Sequence, residues 1–153
     1  MKVLETKLPP PVVTLLVGLA MWLAASVTPA FAVPGAVKTG VALAFVGLGV
    51  LVYLAAGVVL LRARTTVDPI HPCNASELVT GGIYRFTRNP IYVGDFLFLL
   101  AWAVYLSSPV AVLMTPLLVA YLDRFQIRPE ERALSDLFGD EYARYVARAR
   151  RWV

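Results

Sequence analysis

At 153 residues the chain is sized for one domain, and 59% of it is hydrophobic against 16% charged, where soluble domains run near half apolar and a quarter charged. A soluble core of this size has no room for so much apolar surface, so the composition excludes an ordinary water-soluble globule and points to a bilayer. The net charge of +4 does not indicate nucleic acid. The basic residues gather where apolar runs end and in the C-terminal tail, as in chains that lie against anionic headgroups.

The first apolar run covers residues 12–32, after Pro9-Pro10-Pro11, with no charge inside. At ~1.5 Å per residue it matches the ~30 Å hydrocarbon core. A signal peptide is the competing reading, since Lys2 and Lys7 precede the run and Ala30-Phe31-Ala32 loosely resembles a cleavage site. The length of the run and the immediate start of a second favour a true span. Pro34-Gly35 breaks the chain, and the second run, residues 38–61, closes on Arg62 and Arg64. Its Gly40, Gly47, Gly49 and Gly57 suit close helix packing in lipid. A third run, residues 91–106, turns at Ser107-Ser108-Pro109 into a fourth, residues 110–127. These two read as a tight helical hairpin. After Pro129, residues 130–152 read as a helix interrupted at Gly139, with Leu134, Leu137, Phe138, Tyr142, Tyr145 and Val146 on one apolar stripe and Arg144, Arg148, Arg150 and Arg151 on a basic side. Such a helix lies along the membrane surface or folds back onto the cytosolic loop.

The expected architecture is therefore all-α: a single polytopic membrane domain of about four transmembrane helices and a C-terminal interfacial helix. Residues 9–64 form an N-terminal helical hairpin, and residues 65–153 form the catalytic part. Arg62, Arg64, Arg85 and Arg88 lie between the second and third runs, and Arg124, Arg128 and Arg132 follow the fourth, so positive charge places both termini in the cytosol.

Ionisable residues are costly in a bilayer and therefore informative. Apart from Lys38 at the edge of the second, the first two runs have no charged residue, whereas Asp95 begins the third and Asp123 ends the fourth, both near the cytosolic interface. The other polar candidates fall in residues 65–95 and 123–131, which the predicted hairpin returns to the same membrane face. Arg85, Arg88, Arg124 and Arg128 are permanent cations able to hold a carboxylate or phosphate. Glu130 and Glu131 can face a cationic cofactor or accept a proton, and Tyr84, Phe86, Tyr92 and Trp102 offer flat rings to a base or cation. The plainer reading is that the arginines and tyrosines anchor helices at headgroup level and the glutamates favour a helix N-terminus. His71 and Cys73 are too few ligands for a metal. Gly47-Leu48-Gly49 sits in an apolar helix, so no dinucleotide loop is supported. Ser107 and Ser108 have no histidine near them for nucleophilic catalysis, and Asn74-Ala75-Ser76 is a glycosylation acceptor on the wrong side of the membrane.

Two stretches carry a family resemblance. Residues 78–94, LVTGGIYRFTRNPIYVG, resemble the Leu-Val, Gly-x-Tyr and Arg-His-Pro-x-Tyr-x-Gly pattern of the isoprenylcysteine carboxyl methyltransferases, a family that also includes phospholipid methyltransferases. Residues 129–152, PEERALSDLFGDEYARYVARARRW, resemble its Glu-Glu-x-x-Leu, Phe-Gly-x-x-Tyr and closing Arg-Trp. The likeness covers roughly the C-terminal half and is to short, prokaryotic-type members. It implies a multi-pass enzyme of the bacterial inner membrane that uses S-adenosylmethionine, without metal, on a lipophilic or amphipathic acceptor. By position it implies Glu130 near the reactive methyl group and Arg88 as the catalytic arginine. It implies a donor pocket from Ser76, Glu77, Leu78, Val79, Tyr84, Asn89, Pro90, Ile91 and Tyr92, with Glu130 and Glu131. Two positions depart: Asn89 replaces the family histidine and cannot titrate, and Gln126 stands where eukaryotic members place a substrate-contacting arginine. Arg124 or Arg128 then substitutes, and the methylated group is a carboxylate, an amine or a thiol. The competing functions are a small multidrug-type transporter, which needs a deep acidic residue that the first two runs lack, and a nicotinamide-dependent membrane reductase.

Overall fold

The computed structural model describes residues 7–63 and 77–153. Lys2, Arg64, His71, Cys73, Asn74 and Ser76 lie outside the described residues. Among the described residues five α-helices form: α1 Pro10–Ser26, α2 Gly35–Ala63, α3 Pro90–Leu106, α4 Pro109–Leu122 and α5 Arg128–Val146. A 3₁₀ turn, Gly82–Arg85, precedes α3, and a π-helical turn, Asp123–Ile127, joins α4 to α5. The all-α expectation holds among the described residues, whose single β-type contact is an isolated bridge between Thr87 and Arg150.

Local chemistry explains the boundaries. Proline opens α1, α3 and α4, where its fixed φ suits a first turn and its missing N–H is no loss. Ser107 takes a left-handed φ of 52° between α3 and α4, and the Ser108 hydroxyl accepts the Ala111 N–H at 3.3 Å, capping α4. Two expected boundaries need correction. The first helix ends at Ser26 rather than residue 32, because the Thr28 hydroxyl turns back to the Ala24 carbonyl at 2.8 Å and Pro29 has no N–H to continue the ladder. The last helix ends at Val146 rather than residue 152; the tail beyond it bonds to the segment before α3 instead. The interruption expected at Gly139 is present, with φ +47°.

The helix α2 and the continuous helical stretch Pro109–Val146 are long and apolar enough to cross a membrane, while α1 and α3 are shorter apolar helices. At ~1.5 Å per residue the 29-residue α2 extends roughly 44 Å. Large apolar side chains point outward, among them Leu15, Leu51, Leu61 and Leu113, a surface that hydrocarbon accommodates and water does not. The core is formed where α1, α3 and α4 meet, from Val13, Met21, Tyr92, Leu99, Ala111, Leu118 and Leu122.

Contacts sort the elements into two ends. At one, Gln126 Nε2 donates to the Leu8 carbonyl at 2.5 Å, and Gly82 packs so tightly on Val59 of α2 that a Cβ would lie 2.5 Å from its Cγ2. At the other, the Phe31 N–H reaches the Ser107 carbonyl at 2.7 Å and Lys38 sits 5.4 Å from the Tyr105 ring centre. The starts of α1, α3 and α5 thus share an end with the finish of α2. That shared end holds the polar residues singled out above.

The α2–α3 interface depends on two glycines. A Cβ on Gly49 would lie 2.7 Å from Phe98, and one on Gly94 would strike the Tyr53 ring. The Gly94→Ala variant is expected to lose about 1–3 kcal/mol, the usual cost of overpacking a well-filled interface. Gly57→Ala, where a methyl meets nothing within 4 Å, is expected to unfold no earlier than the parent chain. Thermal unfolding in detergent, read side by side, checks the pair.

Candidate active site

The site is built from the segment that leads into α3. Pro90 begins that helix; the Thr87 N–H reaches back to the Ile83 carbonyl and the Asn89 carbonyl accepts from Val93, but the Arg88 N–H and the side chains of residues 87–89 find no partners in either helix. The C-terminal tail supplies them. The Arg88 N–H donates to the Arg150 carbonyl at 2.8 Å, and Asn89 Nδ2 donates to the Arg151 carbonyl at 2.8 Å. The Thr87 hydroxyl accepts the Asn89 N–H at 3.2 Å and lies 3.4 Å from the Arg151 carbonyl. Asn89, which stands in place of a family histidine, is therefore a buried clip on the tail (8% exposed).

The Arg88 side chain continues the same connection. Its Nη1 donates to the Ala149 carbonyl at 2.6 Å, one of the unpaired carbonyls beyond the end of α5. Its Nη2 reaches Glu131 Oε1 at 2.7 Å. Arg151 returns from the tail to the same carboxylate, with Nη2 at 2.6 Å from Oε2 and Nε at 3.0 Å from Oε1. Arg151 also binds Asp123 at 3.0 Å, and Arg128 binds the other oxygen of Asp123 at 2.8 Å. The π-helical turn makes that last pair possible: its wider ring brings residues five apart onto one side. Burial alone would raise the Glu131 carboxyl, but its bonds from Arg151 and Arg88 outweigh this and hold it below its ordinary value.

Glu130, one residue earlier, is in a different setting. Successive helical residues point ~100° apart, so Glu130 turns from the arginines and accepts the Tyr92 hydroxyl. Burial pushes its carboxyl up, the Tyr92 bond opposes this, and the negative Glu131 adds to it; the outcome is about 7. Tyr84 stands near enough to feel the Glu130 charge, and its carbonyl accepts the Tyr145 hydroxyl at 2.8 Å. Leu78 and Tyr84 pack with Leu134, Phe138, Tyr142 and Tyr145, so α5 folds back onto this loop. Leu137 and Val146, placed on the same stripe, are exposed.

The structure thus brings Arg88, Asn89, Pro90, Ile91, Tyr92, Glu130 and Glu131 together, with Leu78 and Tyr84 against the neighbouring aromatic cluster. Glu77 is exposed and Val79 half-buried. Gln126 is fully buried and faces α1 through Leu8, not open space. Arg128 is tied to Asp123, and Arg124 is 5.9 Å from the Phe125 ring centre. Three participants stand outside the expected site residues: Arg151, Asp123 and, through its hydroxyl bond to Asp95 at 2.6 Å one turn beyond Tyr92, Tyr53. The closing Arg-Trp pair was the available signal for the first, and an acid ending an apolar run for the second. Tyr53 lies in a featureless apolar helix and carried no signal.

Arg88→Ala would leave Glu131 half-paired in a poorly solvated place, and a loss of about 2–4 kcal/mol is expected, near that for breaking a buried ion pair. Arg128→Ala removes a cation whose side chain is 53% exposed, and about 0.5 kcal/mol is expected. Denaturation midpoints of both variants in one detergent test the contrast, which similar losses would contradict.

Comparison with known proteins gives the family of the chain. Residues 37–141 match the phospholipid methyltransferase family. An uncharacterised protein of Haemophilus influenzae is 40% identical over 63 residues, its whole length and 41% of this chain. The protein-S-isoprenylcysteine O-methyltransferase of Schizosaccharomyces pombe is 38% identical over 68 residues, 44% of this chain and 29% of that protein. The human enzyme of the same name is 37% identical over 71 residues, 46% of this chain and 25% of its own. The chain spans less than a third of the length of these two named relatives. No solved structure matches it. With the family match covering over two thirds of its residues, the chain belongs to the phospholipid methyltransferase family, a family of methyltransferase enzymes.

Proposed function

We propose that this protein is an integral membrane enzyme that transfers a methyl group from S-adenosylmethionine to a lipophilic or amphipathic acceptor reaching it from the bilayer. In this reading α1 to α4 all traverse the bilayer of a bacterial inner membrane, α3 and α4 as a tight hairpin. Both termini and the site then face the cytosol, where the soluble donor is found. The single observation that carries the proposal is Glu130: a buried carboxylate that meets a tyrosine hydroxyl and, among the described residues, no cation. A sulfonium is a cation of the size and charge that such a group lacks.

The donor, when bound, supplies an electrophilic methyl group on a positively charged sulfur. The chain's own residues hold and orient. Glu130 faces the sulfonium, and Tyr92 fixes its rotamer and keeps one oxygen occupied. Arg88 is committed through Nη1 and Nη2, but its Nε is buried without a partner, a donor left for a carboxylate of the ligand. Glu77, Leu78, Val79, Tyr84, Asn89, Pro90 and Ile91 line the donor side, with Ser76 beyond the described residues. Arg124 and Arg128 are read toward the acceptor side, with Gln126, buried against Leu8, supporting that side without opening onto it. In a water-poor site such fixed groups supply most of a methyl transfer, which needs only alignment and electrostatic support.

Isothermal titration in detergent tests this. S-adenosylmethionine and S-adenosylhomocysteine are both expected to bind, and Glu130→Gln is expected to weaken the charged donor by roughly tenfold or more and the neutral product less. A folded sample that binds neither would end the proposal. The pH dependence has a definite sign. Relative to an ordinary value of 4.5, the raised carboxyl favours its neutral form, so ionisation costs folding free energy as pH rises from 4.5 through 7 and the cost is complete above that. A sulfonium needs the ionised form. Affinity for S-adenosylmethionine is therefore expected to fall about tenfold from pH 8 to pH 6, with much less change for S-adenosylhomocysteine. Parallel titration curves for the two ligands would contradict the assignment.

A further inference from the structure

Two guanidinium groups meet one carboxylate at Glu131, and they share it unequally. Arg151 grips it as a fork, with Nη2 at 2.6 Å from Oε2 and Nε at 3.0 Å from Oε1. Arg88 reaches only Oε1, through Nη2 at 2.7 Å. An arginine beside a carboxylate often makes two parallel bonds, yet the Nε of Arg88 is buried without a partner. A buried donor left unpaired is costly, so something must keep Glu131 from turning to it.

Arg151 does this. Its third nitrogen, Nη1, is held by Asp123 Oδ1 at 3.0 Å, and Arg128 occupies the other oxygen of that acid. Its backbone is fixed as well. The Arg151 carbonyl accepts Asn89 Nδ2 at 2.8 Å, Trp152 packs on the core between α1, α3 and α4, and Ala149 sits in the aromatic cluster of Tyr142 and Tyr145. The fork thus belongs to the arginine anchored at more points. With Oε2 occupied and Oε1 accepting twice, Glu131 has no oxygen to spare for Arg88 Nε. Removing the Arg151 side chain frees Oε2. A turn of the carboxylate then closes the two-bond pair with Arg88, on Nη2 and Nε, and the donor is consumed.

We propose that Arg151 is a positioning residue for the methyl donor: by holding Glu131 in a fork it keeps Arg88 Nε unpaired, and so available to the carboxylate at the amino-acid end of S-adenosylmethionine. This rests on the methyltransfer reading above and adds that preference for a ligand with a carboxylate is set from the C-terminal tail. Arg151 acts through Glu131 and Arg88 alone. Glu130, which points away from the arginines, keeps its Tyr92 bond whether or not Arg151 is present.

Two ligands separate this role from a purely structural one: S-adenosylhomocysteine, and methylthioadenosine, which shares the nucleoside and the thioether but has no carboxylate. In isothermal titration of the full chain in one detergent, the parent is expected to bind S-adenosylhomocysteine about tenfold or more tighter than methylthioadenosine. Arg151→Ala is expected to erase that preference while holding methylthioadenosine affinity within about twofold of the parent. Arg151→Lys returns a point charge but not the fork, and its preference is expected to fall between the two. Equal losses for both ligands, or an unchanged preference in Arg151→Ala, overturns the proposal. Should Arg151→Ala not fold, Arg151→Lys decides alone: a reduced preference with methylthioadenosine affinity kept supports the role, and the parent's preference or an equal loss for both ligands overturns it. A parent that binds both ligands without preference overturns this proposal alone, whereas one that binds neither ends the methyltransfer reading with it.

Discussion

Two arginines sixty-three residues apart in the chain, Arg88 and Arg151, share one carboxylate, Glu131. The rest of the site depends on this arrangement. Without Glu131 the buried guanidinium of Arg88 would face that of Arg151 with no anion between them. With it, the segment before α3, the first turn of α5 and the C-terminal tail are tied to one another. The tail adds backbone bonds to Arg88 and Asn89, so the residues that lead into α3 are held from both sides without regular secondary structure of their own.

The adjacent glutamates divide the work. Glu131 absorbs the arginines, and because the next position around the helix points elsewhere, Glu130 is spared them. A lone carboxylate amid three arginines would be neutralised by the protein itself and have nothing left for a ligand. The Arg88-Asn89-Pro90-x-Tyr92-x-Gly94 run can be read in the same terms. Arg88 and Asn89 bind the tail, Pro90 starts the helix, Tyr92 holds Glu130, and Gly94 makes room for Tyr53 and hence for the bond to Asp95. Each residue has a physical task, and together they let α3 hold Glu130 through Tyr92 and, one turn along, Asp95 accept the Tyr53 hydroxyl of α2.

Much of this was legible in the sequence because the bilayer is a severe solvent. Uninterrupted apolar runs located α1 to α4, closely for α2 and α3, and the Pro9-Pro10-Pro11 and Ser107-Ser108-Pro109 stretches marked the starts of α1 and α4. The return of residues 123–131 to the Arg88 face followed from counting turns. The misses also have physical causes. Hydropathy cannot see that Thr28 bends back on Ala24 while the residues around it stay apolar, so the first helix was drawn too long. Helical periodicity in the tail hid the demand of residues 87–89 for backbone partners, which ends α5 at Val146. Pairing among like residues is a matter of ångströms: nothing in the sequence says which of Glu130 and Glu131 meets Arg88, and it is Glu131. Tyr53 was invisible because nothing local distinguishes it from any aromatic facing lipid.

The central claim is that the Arg88–Glu131 contact builds the donor site rather than merely adding stability. A double-mutant cycle read on S-adenosylhomocysteine affinity tests it most directly, with Arg88→Ala, Glu131→Ala and the pair measured against the parent in one detergent. Each single change is predicted to cost about as much as the double, giving a coupling of roughly 2 kcal/mol, within the range for residues in one charge network. Losses that simply add, or single variants that bind as the parent does, would contradict the account.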